Sequence, residues 1–228
     1  MRCSKEDVTM DIELMELEFE DEVIKTRLEP IFRQTLNEIE SKLQIVPPLG
    51  HKKIKIILGN EARCSTADLP TNYKIILTKS VLDDQYKAIY QFAHELGHIY
   101  CNPCYGSEFI ESMCSLLRNY IYINLFFKYG WEKRNCDDFN PNLFLTKKNN
   151  TRRDWQEYVA QELQPFFRQH PIAWQLLPLF YANEYNLKDK QINFKYLQNR
   201  EKLNIEQKTI LEDVLKQIKN SFSENEES

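Results

Sequence analysis

Apolar residues recur at three- and four-residue steps through Val23, Ile24, Leu28, Ile31, Phe32, Leu36, Ile39 and Leu43, which predicts an amphipathic helix ending before Pro47 and Pro48. Pro30 either kinks this helix or divides it in two. Two short β-rich runs follow, Ile54 to Leu58 and Tyr73 to Thr78, separated by the turn-prone stretch Gly59 to Asn72; these are the only strands the pattern predicts. A helical period returns over 81–100, breaks at Asn102, Pro103 and Gly106, and resumes over 107–129. Residues 130–153 are polar and rich in Asn, Lys and Asp, as in a surface excursion or lid. Helical patterns then occupy 154–169 and 171–185, each containing a proline (Pro165, Pro178). The last helix, 205–222, carries Ile210, Leu211, Val214, Leu215 and Ile218 on one face, and 223–228 is a disordered tail.

With no internal repeat and no convincing linker, this pattern predicts one α+β domain over 1–222, mostly helical, with a small sheet and a helical C-terminal part over 154–222. Composition agrees: 42% hydrophobic and 12% aromatic residues suit a folded core, and five Gly against nine Pro disfavour Gly-rich nucleotide loops and propellers. A net charge of -4 gives no general attraction to nucleic acid or to anionic membranes, so neither is an expected partner. Residues 1–20 form an acidic N-terminal segment in which apolar and acidic residues alternate; it lacks the basic and apolar regions of a secretory signal. No apolar run reaches the roughly 18 residues a membrane span requires. Six cysteines in a leaderless chain of this length read as reduced thiols, and the expected location is the cytoplasm.

The segment that carries chemistry is His94-Glu95-Leu96-Gly97-His98, inside the helix predicted over 81–100. Residues four apart on a helix share a face, so both imidazoles can reach one tetrahedral Zn²⁺, and Glu95 stands beside them, able to act as general base toward water. Ala93 and Gly97, also four apart, leave room for another backbone to come close. A catalytic zinc needs a third protein ligand. Glu108 and Glu111 open the next helix; Glu111 is preferred because it lies deeper in that helix, where Cys114 and Ser115 are small enough to let this face lie against the histidine helix. A competing set would close the site with Cys101 and Cys104, giving a structural zinc with two nitrogen and two sulfur ligands.

The runs Tyr73-Lys-Ile-Ile-Leu-Thr, Tyr90-Gln-Phe-Ala-His-Glu-Leu-Gly-His and Phe109-Ile-Glu-Ser-Met-Cys resemble the gluzincin metallopeptidases, and FAHELGHI is similar to the short intracellular ImmA/IrrE type. The resemblance covers about 40 residues, Tyr73 to roughly Cys114. It implies a zincin-like fold with His94, His98 and Glu111 as zinc ligands, Glu95 as catalytic base, and 73–78 as an edge strand along which a polypeptide substrate lies in extended form. Candidates for stabilising the oxyanion are Tyr158, His170, Tyr181, Tyr120 and Arg118. The basic cluster Lys147, Lys148, Arg152 and Arg153 lacks interleaved aromatics and reads as a solvated loop. The expected function is zinc-dependent peptide-bond hydrolysis; the alternatives are a catalytically silent zincin-fold binding protein and the structural zinc domain.

Overall fold

The computed structural model describes residues 15–65, 71–101, 108–128, 152–180 and 203–223. Among these are the strands β1 (Met15–Leu17), β2 (Lys53–Gly59), β3 (Arg63–Ser65) and β4 (Asn72–Thr78) and the helices α1 (Glu22–Asn37), α2 (Gln85–Cys101), α3 (Glu108–Lys128), α4 (Arg152–Gln169) and α5 (Ile205–Ser223). The architecture is α+β, predominantly helical with a small sheet, as the pattern predicts. Residues 1–14 and 129–151, and with them most of the expected lid, lie outside the described residues, as do Cys104, Tyr181 and 224–228. Among the described residues no helix is long and apolar enough to cross a membrane.

The sheet has the order β1-β2-β4-β3, with β1, β2 and β4 parallel and β3 antiparallel to β4. Two expectations change here. The run 73–78 is not an edge strand: β2 pairs along its whole length and β3 covers Lys74, Ile75 and Ile76 on the other side, so the edge on that side is β3. Part of the acidic N-terminal segment is itself a strand. Met15 and Leu17 turn into the core while Glu16 and Glu18 turn outward, within 2.7 Å of Lys53 and 3.6 Å of Lys55, the two-residue alternation of a half-buried strand. The inner face of the sheet, with Ile54, Ile56, Tyr73, Ile75 and Leu77 buried, packs against the helices.

Asp21 caps α1 by accepting from the amides of Val23 and Ile24. The helix runs through Pro30 without a break and ends in a π-helical turn, Glu38–Lys42. An interior proline costs about 3 kcal/mol. Burying Leu28, Ile31, Phe32, Leu36 and Ile39 on both sides of it, at about 1.5–3 kcal/mol each, outweighs that cost.

The helix expected over 81–100 is preceded by a 3₁₀ turn, Lys79–Leu82, because Asp84 takes the amides of Tyr86 and Lys87 and starts α2 at Gln85. One turn before the HExxH segment, Gln91 accepts from the amide of Thr78 at 2.9 Å and so ties α2 to the end of β4. The stretch from Pro171 to Phe180 is a 3₁₀ helix that sets Trp174 between Tyr120 and Phe167.

α2 and α3 pack backbone against backbone at Gly97. A Cβ added at Gly97 would lie 2.8 Å from the Cα of Cys114 and 2.9 Å from its Cβ, inside van der Waals contact with backbone that cannot turn aside. The room expected at Gly97 is therefore used in full, and the up to about 1 kcal/mol that a helical glycine forfeits relative to alanine has a packing reason. Gly97→Ala is expected to lower the stability of the metal-free protein by about 1–3 kcal/mol, measured by urea unfolding; an unchanged midpoint would contradict this contact.

Candidate metal centre

Helix periodicity brings His94 and His98 to one face of α2, where their rings meet edge-on with centroids 5.3 Å apart. The crossing at Gly97 brings the first turn of α3 over this face, and Glu111 reaches both rings. Its Oε2 lies 3.1 Å from His94 Nε2 and its Oε1 lies 3.5 Å from His98 Nε2. The three residues each offer one ligand atom within 4.8 Å of the others, and among the described residues they form the group able to hold a metal ion. The fit is geometric: atoms bound about 2.0–2.1 Å from a tetrahedral ion lie about 3.3 Å apart. The side chains are 19%, 12% and 28% exposed, so the group is partly accessible to solvent.

Charge distribution suits the same purpose. Burial pulls the His98 imidazole down to about 4, with the Glu111 carboxylate opposing and His94 assisting, so the ring is neutral at pH 7 and offers a lone pair. Glu95, on the flank of the histidine pair, is 4% exposed. Its carboxyl is pushed up to about 8, chiefly by burial and then by the negative Glu111, while a hydrogen bond from the backbone amide of Cys64 acts in the opposite sense. Its Oε2 is buried and has no hydrogen-bond partner among the described residues. A buried acceptor left open beside a three-ligand group is a position where water or a substrate can complete the hydrogen bonding.

The predicted ligands His94, His98 and Glu111 are thus brought together, with Glu95 adjacent. Glu108 opens α3, and its side chain lies outside the described set. Cys101 is not in the group: it is buried in the core, where burial holds its thiol well above the ordinary range. His51 pairs with Glu40 at 3.5 Å, and His170 is exposed against Phe166. Among the oxyanion candidates, Tyr120 packs on Trp174, Arg118 lies over the ring of Tyr90, and the side chains of Tyr158 and Tyr181 lie outside the described residues, as do those of the basic cluster. The contribution of Cys64 was not readable from sequence, since a backbone amide carries no side-chain signature and β3 falls in a stretch that reads as turn.

No family model, no curated protein and no solved structure matches the chain.

Because the Glu95 carboxyl is raised from 4.5 to about 8, the folded protein keeps a proton that the unfolded chain releases over that interval. Stability from this group is complete below about pH 4.5 and is lost as pH rises to about 8. In the metal-free protein, Glu95→Gln is expected to become progressively more stable than the parent between about pH 5 and pH 8, with a plateau above, in thermal unfolding. A difference that does not vary with pH would contradict this electrostatic account.

Proposed function

We propose that this protein is a zinc-dependent metallopeptidase. The observation that carries the reading is the convergence of two imidazoles from α2 and one carboxylate from α3, with the buried Glu95 beside them. Two nitrogen ligands and one oxygen ligand, with three protein residues in the group among those described, suit a catalytic rather than a structural zinc, which has four protein ligands. Zinc held there supplies a Lewis acid that polarises a carbonyl and lowers the pKa of water. His94, His98 and Glu111 would hold it, with α3 carrying Glu111 to the histidines across the close crossing at Gly97. Glu95 accepts the proton of the attacking water and delivers it to the departing amine, a role suited to a carboxylate set beside the three ligands.

The substrate is a polypeptide bound in extended form. The edge strand available beside Glu95 is β3, whose Cys64 amide bonds that carboxyl, so a peptide lying along this side of the sheet passes the reacting group.

Two variants test the reading. The parent is expected to bind about one zinc per chain and Glu111→Ala to lose most of it, measured by elemental analysis after dialysis. Glu95→Gln is expected to keep the zinc and to lose at least about 100-fold in the rate of peptide-library cleavage. A Glu95→Gln protein as active as the parent would contradict the mechanism, and a Glu111→Ala protein with full zinc would contradict the ligand set.

A further inference from the structure

α2 and α3 meet along one seam. On α3, Glu111, Cys114, Arg118 and Tyr122 follow at steps of three and four residues and share a face; on α2, Tyr90, His94 and Gly97 do the same. The contacts run in antiparallel order: Glu111 meets the two imidazoles, Cys114 meets Gly97, and further along Arg118 and Tyr122 meet Tyr90. The guanidinium carbon of Arg118 lies 4.0 Å from the centroid of the Tyr90 ring, and Tyr122 approaches the same ring edge-on at 6.3 Å. Arg118 also donates to Asn119 Oδ1 from Nε and Nη2, at 3.2 and 3.0 Å.

Arg118 is only 3% exposed, whereas the metal group is partly open, so its guanidinium is shielded from a ligand that reaches the histidines. That argues against contact with substrate. Packing alone would be served as well by Leu or Met, without the cost of desolvating a cation. What Arg adds is a rigid planar cation, whose stack on an aromatic face fixes separation and angle more narrowly than an aliphatic contact.

We propose that Arg118 is a positioning residue for the metal group. Stacked on Tyr90, one helical turn before His94, it sets the angle at which α3 presents Glu111 to His94 and His98. The crossing at Gly97 fixes how near the two helices come, and the Arg118 stack fixes their rotation about that point. The proposal rests on the metal-binding part of the reading above and is independent of whether peptides are cleaved.

The test measures zinc affinity by competition with a chromophoric chelator, alongside the unfolding midpoint of each metal-free protein. Arg118→Lys, Arg118→Met and Tyr90→Leu are each expected to weaken zinc binding by about 10–100-fold, the range seen when groups that support metal ligands are removed. Tyr90→Phe keeps the ring and is expected to stay within about 3-fold of the parent. The double variant Arg118→Met with Tyr90→Leu should be no weaker than either single one, because both remove the same stack. Leu28→Ala, on α1 away from the seam, controls for general loosening and should keep the parent affinity at a comparable loss of stability. If Arg118→Met fails to fold, Arg118→Lys and Tyr90→Leu decide. Parent-like affinity in both, or a loss in Leu28→Ala equal to theirs, would overturn the proposal. A parent that binds no zinc would overturn the metal group itself, and the proposal with it.

Discussion

The metal group depends on how closely two helices can approach. His94 and His98 are brought together by the helix period alone, but Glu111 belongs to another helix, which crosses α2 closely where position 97 carries no Cβ. With Cys114 backbone 2.8 Å from where that Cβ would lie, a methyl group there would force the two helices to shift. The rest of the fold supports this contact. The sheet and α1 cover α2 from one side, Gln91 ties it to the end of β4, and α4 with the 3₁₀ helix at Pro171–Phe180 backs α3.

Such a crossing places ionisable groups where water is scarce, and their equilibria follow. Burial drives the Glu95 carboxyl up and the His98 imidazole down, both toward the uncharged form. Glu111, more exposed, supplies the negative charge that each of them feels. The raised Glu95 carboxyl lowers stability as pH rises toward 8, whereas the depressed His98 imidazole costs stability only below about pH 6.5, where the unfolded chain would take up its proton. The amide of Cys64 is a partial offset that β3 contributes across from the other layer of the fold.

How much of this could be read in the sequence divides by mechanism. HExxH, the small residue at Gly97 and the helical stretch holding Glu111 are local patterns with a fixed geometric meaning, and the fold brings those residues together. The alternation of Met15, Leu17 and Phe19 with Glu16 and Glu18 is equally legible: its two-residue period marks a half-buried strand, and the acidic residues are its solvent-facing positions. β3 is only three residues long, too short for any periodicity, so the identity of the edge strand was beyond sequence pattern. The passage of α1 through Pro30 likewise turned on buried contacts from both sides, which no local rule for proline contains.

The central claim is that this chain builds an open site from two nitrogens and one carboxylate. X-ray absorption at the zinc edge of the metal-loaded protein tests it most directly. The account predicts a first shell of nitrogen and oxygen alone, at about 2.0–2.1 Å, with multiple scattering from two imidazoles. A sulfur at about 2.3 Å would contradict it, since a thiolate would then fill the position the account leaves open.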